Sequence, residues 1–152
     1  MNKWETILNL MRAEHQYLSL SHEEDKLIVY EKGPVLFIFN FHTSKSFEDY
    51  RVGTHWTSDH MILLDTDAVE LGGHGRLESG YKQRYVPKRG VWHNRNNSIS
   101  LYLPCRTAII LIAEENITAE IREKGQIQMP EVRTVEEEVK EVAVPVQTTT
   151  PV

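Results

Sequence analysis

Residues 26–113 are cut into short apolar runs, each closed by residues that turn a backbone. Runs of four to eight residues, alternating or wholly apolar between such turns, are the pattern of β-strands. Leu27-Ile28-Val29-Tyr30 leads to Gly33-Pro34, which blocks a helix, and then to Val35-Leu36-Phe37-Ile38-Phe39-Asn40-Phe41. These seven, mostly β-branched or aromatic, suit a strand buried on both faces. Residues 49–52 are closed by Gly53, and residues 61–64 by Asp65 and Asp67. Residues 84–86, 99–103 and 108–113 follow a glycine-rich loop. About seven short strands predict an all-β fold, an antiparallel β-sandwich. A parallel α/β sheet is disfavoured, because no crossover helix of adequate length separates the strands. Ile38, Phe39, Leu63, Leu101 and Ile110 are expected in the core.

The flanks follow other patterns. In residues 1–20, Trp4, Ile7, Leu8, Met11, His15 and Leu18 recur at three- and four-residue steps, which predicts one short amphipathic helix before the sandwich. Residues 117–152 read as a polar, largely disordered tail. From Gly125 onward there is no aromatic residue and there are three prolines, too little apolar surface to offset the entropy of ordering. The expected division is therefore residues 1–20 as a linker helix, 21–116 as the sandwich and 117–152 as the tail.

The formal net charge of the 152 residues is -5. Five glutamates (131, 136, 137, 138 and 141) face only Arg133 and Lys140 beyond Gly125, so the acidity is concentrated there. Nucleic-acid binders show a basic face or stripe, and none is evident. No apolar run approaches the ~20 residues that cross a bilayer, and charged residues interrupt the N-terminal segment, so neither a membrane span nor a signal sequence is expected. The lone Cys105 cannot form an internal disulfide, which fits a reducing compartment, the cytoplasm.

The recognised catalytic motifs are missing: no GxxxxGK phosphate loop, GxSxG elbow, HExxH pair or CxxC. Gly72-Gly73-His74-Gly75-Arg76 lacks the lysine and long helix of a phosphate cradle and reads as a loop folded tightly against a sheet edge. Asp65-Thr66-Asp67 lacks the central glycine and terminal glutamate of a calcium loop, so it reads as a turn. The seven histidines form no i,i+4 pair and have no nearby cysteine partner, so no metal site and no cofactor are expected. Arg106 beside Cys105 favours a thiolate, but no base accompanies the thiol.

Carbohydrate binding is the function class that the composition leaves open. Pyranose rings stack their C–H faces on aromatic rings while their hydroxyls bond to neighbouring polar groups. Trp56, Tyr81 and Trp92, each flanked by polar residues, are the candidate glucan-binding positions. Aromatic side chains are equally the largest contributors to ordinary cores, and packing competes with ligand binding at all three.

Several motifs in sequence order resemble the glycogen branching enzyme family. Phe37-Ile38-Phe39-Asn40-Phe41-His42, Ser44-Lys45-Ser46-Phe47 and Asp49-Tyr50-Arg51-Val52-Gly53 are similar to its FxFNFH…S-(Y/F)-x-DYRVG segment. His22-Glu23-Glu24-Asp25-Lys26 precedes them like the family's His-Glu-x-x-Lys. Leu64-Asp65-Thr66-Asp67 with Gly72-Gly73-His74 and Arg76-Leu77 resembles LDSD…GGxxRL. Tyr102-Leu103-Pro104-Cys105-Arg106-Thr107-Ala108 resembles Y-x-P-S-R-x-A, with Cys105 where serine is usual. The similarity covers residues 22–112; residues 55–58 and 85–88 depart from it.

The resemblance implies the C-terminal all-β domain of an alpha-amylase-superfamily enzyme, which follows a catalytic (β/α) barrel and packs against it. The family transfers α-1,4-glucan segments into α-1,6 branches with barrel carboxylates: an aspartate nucleophile, a glutamate acid/base and a second aspartate. None of those motifs is present, so no catalytic residue is assigned. The expected role is that of a branching-enzyme C-terminal domain, inactive alone, in glycogen biosynthesis. The alternatives are a glucan- or protein-binding module, or a fragment that needs a separate barrel chain. Met1-Asn2-Lys3-Trp4-Glu5 resembles the family's linker helix, and the expectation is that the chain begins inside it. The partners implied are glycogen or another α-glucan, a branching-enzyme barrel, or a second copy meeting through residues 1–20.

Overall fold

A computed structural model describes residues 1–78 and 80–127, and of residues 80–82 the backbone alone. Helix α1 (Asn2–Leu8) and a 3-10 turn (Leu10–Arg12) precede nine strands. These are β1 (Gln16–His22), β2 (Leu27–Lys32), β3 (Val35–Asn40), β4 (Phe47–Thr54), β5 (His60–Asp65), β6 (Gly80–Tyr85), β7 (Lys88–Trp92), β8 (Arg95–Leu103) and β9 (Thr107–Ala113). Helix α2 (Ala119–Gly125) is the last element among the described residues. One sheet has the order β1-β2-β3-β9-β5-β6 and the other β4-β8-β7, with antiparallel pairing throughout. The all-β expectation is borne out.

The period-two pattern builds the space between the sheets. Leu27, Val29, Leu36, Ile38, Ile109 and Leu111 of the large sheet meet Val52, Ile99, Leu101 and Leu103 of the small one in one cluster. The alternate residues of the large sheet, Val35, Phe37, Met61, Ile110 and Ile112, form a second cluster on its outer face, capped by Leu10. Strand β3 is thus buried on both sides, as its composition predicts. Ile38, Leu101 and Ile110 are buried, whereas Phe39 and Leu63 lie half-buried on the outer face.

The N-terminal segment differs from the expectation of a helix through residue 20. Asn9 adopts a left-handed conformation (φ 52°) that ends α1, and its N–H returns to the Glu5 carbonyl. Residues 16–22 then pair with β2 from Gln16↔Lys32 to His22↔Leu27. The apolar stripe holds for Trp4, Ile7 and Leu8, but Met11 is 81% exposed and Leu18 faces solvent from a strand. Pairing with the free edge of β2 satisfies more backbone groups than a lone third to fifth helical turn could.

The segment assigned to the tail from residue 117 also begins with structure. Thr118 caps α2, its hydroxyl accepting from the Ile121 N–H at 3.2 Å, and Lys124 pairs with Glu120 one turn away. Residues 128–152, the remainder of that assignment, lie outside the described residues. No helix among the described residues is long and apolar enough to cross a membrane.

Candidate functional site

The outer face of the large sheet carries a ladder of aromatic rings. Register places Tyr30 opposite Phe37, and Phe37, Phe39 and Phe41 follow at the two-residue spacing that keeps them on one face. Tyr30 and Phe37 stack with centroids 4.8 Å apart, Tyr30 and Phe39 at 5.9 Å, and Phe37 and Phe39 at 6.3 Å. Phe39 and Phe41 stack at 5.6 Å, with ring planes within 4°. Phe41 ends the ladder and is 59% exposed.

Beside these rings lies a groove of about 440 Å³, walled by Leu10, Met11, Phe37, Phe39, Leu64 and Ile110, with Met1 at its rim. Its shape comes from the end of α1. The Glu5 carboxylate accepts from the Met11 N–H at 2.9 Å, and the 3-10 turn drops Leu10 into the outer cluster. Helix α1 is held in turn by α2, with Lys3 donating to the Gly125 carbonyl at 3.2 Å. Met1 and Met11 stay largely uncovered. An apolar wall that includes methionine and aromatic side chains adapts to another apolar surface.

Of the three aromatic positions singled out in the sequence, Trp56 and Trp92 lie in different settings. Trp56 is 8% exposed and belongs to the inter-sheet cluster, with His60 beside it at 6.0 Å between ring centroids. Trp92 lies at the end of β7, the edge strand of the small sheet, and is 37% exposed. Its indole N–H donates to the Arg51 carbonyl at 2.9 Å, and the Arg51 guanidinium covers the ring at 4.3 Å. The Tyr81 side chain lies outside what is described; its backbone belongs to β6.

The ionisable groups serve the frame. The loop after β5 closes on Asp67, whose carboxylate accepts from the Arg76 side chain at 2.9 and 3.0 Å and from the His74 and Arg76 N–H groups. These bonds hold the Asp67 carboxyl well below the usual carboxylate range. The Cys105 thiol is lowered from its ordinary value by Arg76 first, then Ser46 and Arg106. Among the described residues no three His, Cys, Asp or Glu side chains are grouped to hold a metal ion.

The aromatic ladder was within reach of the sequence, since Phe37, Phe39 and Phe41 alternate in one run. The same run is apolar on both faces, so its composition alone does not separate a ladder from a core strand. The groove itself depends on where α1 ends, which Asn9 decides.

Residues 17–114 match the family described as the alpha amylase, C-terminal all-beta domain. The chain is 41% identical to the 1,4-alpha-glucan-branching enzyme of Dictyostelium discoideum over 111 residues, which are 73% of this chain and 16% of that protein. It is 43% identical to that of Rhizophagus irregularis over 101 residues, 66% of this chain and 14% of the relative. For that of Saccharomyces cerevisiae the figures are 36% over 122 residues, 76% and 17%. The chain spans about one sixth of the length of the curated relatives it matches.

Proposed function

This chain belongs to the alpha-amylase C-terminal all-beta domain family and is homologous to 1,4-alpha-glucan-branching enzymes over that domain, and from that premise we propose that it is a non-catalytic packing module for branching chemistry supplied by other parts of such an enzyme. A (β/α)8 barrel takes ~250 residues, more than the 152 present here. Retaining glycosyl transfer needs two carboxyl groups ~5 Å apart across the scissile bond, and the relatives carry five sixths of their length beyond the matched segment.

The observation that carries the reading is the apolar groove on the outer face of the large sheet, walled by the aromatic ladder with Met1 at its rim. A face that exposes Met1 and Met11 at this groove, and Phe41 beyond it at the end of the ladder, gains by being covered. The proposed cover is the catalytic part of a branching enzyme, on the same or on a separate chain. The context is α-glucan branching in glycogen biosynthesis, in the reducing cytoplasm to which a lone free cysteine is suited.

Two measurements test this. The purified chain is expected to leave amylose unbranched and unhydrolysed by iodine staining and reducing-end assay. Mixed with a D. discoideum branching enzyme that lacks the matched segment, it is expected to form a complex, weakened by Phe41→Asp or Met11→Asp. Branching by the chain alone after exhaustive purification, or a full complex with both variants, overturns the proposal. Self-association through the same face would show as a concentration-dependent mass in light scattering.

A further inference from the structure

The apolar groove continues past Phe39. A neighbouring groove of about 410 Å³, which adds Phe41 and Arg106, shares Phe39, Thr66 and Ala108 with it, so the two form one channel along the outer face of β3. The channel floor has a regular step: Phe37 and Phe39 stack at 6.3 Å, and Phe39 and Phe41 at 5.6 Å. An extended chain repeats its side chains on one side about every 6–7 Å, so a straight segment laid along the channel keeps pace with the rings. The two ends differ in charge. Arg106 stands at the Phe41 end and makes no ion pair with another described residue. Glu5 stands at the other end, beside Met11.

The chain carries a segment of matching pattern. Val142-Ala143-Val144-Pro145-Val146 is the longest apolar run beyond Ile127, among residues outside those described. Its valines alternate at the two-residue spacing that puts them on one side of an extended chain. Pro145 fixes its own φ and steers Val144 away from helical values, so laying the run out straight costs little entropy. Glu136, Glu137, Glu138 and Glu141 precede the run, and Gln147 with three threonines follows it. The acidic side suits Arg106 and the neutral side suits Glu5, which sets Val142 at Phe41 and Val146 towards Met11. Reach is ample. Ile127 packs against the outer cluster, so the remaining chain departs on the same face as the channel. The 14 residues from 128 to 141 extend up to ~45 Å, and the six-residue β3 is only ~20 Å long. A stretch too poor in apolar residues to fold alone still gains by entering a groove already formed.

We propose that residues 142–146 occupy the apolar channel of their own domain and have to leave it before another protein surface enters. The docking stands on the channel and the segment. Its regulatory meaning rests on the reading of this face as the contact with the catalytic part of a branching enzyme. Being tethered, the segment is present at the channel at an effective concentration on the order of millimolar, so it competes with a partner while remaining displaceable.

The test uses the full chain with Cys105→Ser and a nitroxide label on Gln147→Cys. The label is expected to broaden the Met11 methyl resonance strongly and to spare the Trp92 indole N–H on the small sheet. The broadening is expected to persist on dilution into unlabelled protein. Val144→Asp and Arg106→Glu are each expected to restore the Met11 signal. In the otherwise unaltered chain, Val144→Asp is expected to tighten binding to the truncated D. discoideum enzyme by about fivefold or more, because the channel is then open in a larger fraction of molecules. A Met11 signal untouched by the label overturns the proposal. So does broadening that neither substitution relieves, or broadening that passes between separate chains and so marks a second copy as the occupant. Loss of the complex with the truncated enzyme leaves the label measurement intact, so failure of either proposal is seen separately.

Discussion

Trp4 presses its indole ring against Gly125, and a Cβ added to that glycine would come within 2.8 Å of the ring. Alanine in place of an exposed helical glycine ordinarily stabilises by up to ~1 kcal/mol. Here the added methyl pushes Trp4 away and loosens α1 from α2. Gly125→Ala is expected to lower stability by about 1 kcal/mol and to shift the Trp4 indole N–H resonance. A more stable variant with that resonance unmoved would show that the two helices do not depend on this contact.

Glu31 ties the two sheets together from a fully buried position. Its carboxylate accepts from Arg95 at 2.8 Å, from His15 at 2.8 Å and from the His55 N–H at 3.2 Å, and the Arg95 guanidinium lies 3.5 Å from the Tyr17 ring centre. Removing one partner of a buried pair strands the other charge, a loss of about 3–5 kcal/mol. Glu31→Ala is expected to lose that much in urea unfolding at neutral pH, and a change below ~1 kcal/mol would mean that water already solvates Arg95.

Burial on the two faces of β3 predicts an unequal response in neighbouring residues. Ile38 lies between the sheets and Phe39 on the half-open outer face. Ile38→Ala is expected to cost about 2–5 kcal/mol. Phe39→Ala should cost less despite the larger side chain, because part of its ring is wet before the change. Equal losses on chemical denaturation would place Phe39 in a closed core.

These cases mark what the residues reveal in advance. The two-sided strand β3 and the inward alternation of Ile99, Leu101 and Leu103 are legible because burial itself writes the pattern. Strand β7 is exposed along its whole length, so no alternation is written into it. Its turn into β8 is made by His93 and Asn94, both at positive φ (48° and 56°), a mirror-image hairpin turn with a histidine in its first position. Strand β1 is hidden by a register shift between Leu18 and Leu20, which breaks the two-residue period and leaves a spacing that also fits a helix. Trp56 and Trp92 look alike as loop tryptophans, and only the packing of distant strands separates the buried ring from the edge ring. A groove beside β6 joins Asp49, Glu78 and Ser100 from three parts of the chain, and no local pattern reports that meeting.

The loop after β5 is set by Gly73. A Cβ there would overlap the backbone carbonyl of Asp67, while one at Gly72 would meet open space. Gly72, at φ 83°, instead carries the conformational penalty of the left-handed region, roughly 1–2 kcal/mol for alanine. Gly73→Ala has to displace backbone held by the Gly75 N–H at 2.7 Å and by the Asp67–Arg76 pair. It is expected to destabilise more than Gly72→Ala and, by drawing Arg76 away from the Cys105 thiol that it approaches at 3.9 Å and holds below its ordinary pKa, to slow alkylation of that thiol. Identical melting temperatures for the two variants would count against this packing.

Acid should weaken the fold through His60 before it reaches the carboxylates. The ring is fully buried, its Nε2 lies 2.8 Å from the Thr54 hydroxyl, and burial lowers its pKa to about 4. A free histidine has a pKa of ~6.5. Above that value both states are neutral and the group costs nothing. As the pH falls from about 6.5 towards 4, the unfolded chain binds a proton that the folded one refuses, so stability drops and levels off below the folded value. A shift of this size corresponds to a loss on the order of 3 kcal/mol. His93, lowered by burial and then by Arg51 and His22, adds to the loss. Asp65, raised by burial, works the other way, since its folded form prefers the proton. Asp67 loses its contribution only below the unfolded carboxylate range. Stability measured by urea unfolding from pH 7 to pH 4 is therefore expected to fall, and His60→Gln, less stable at pH 7, should show a shallower slope. Parallel slopes in the two proteins would assign the acid sensitivity to another group.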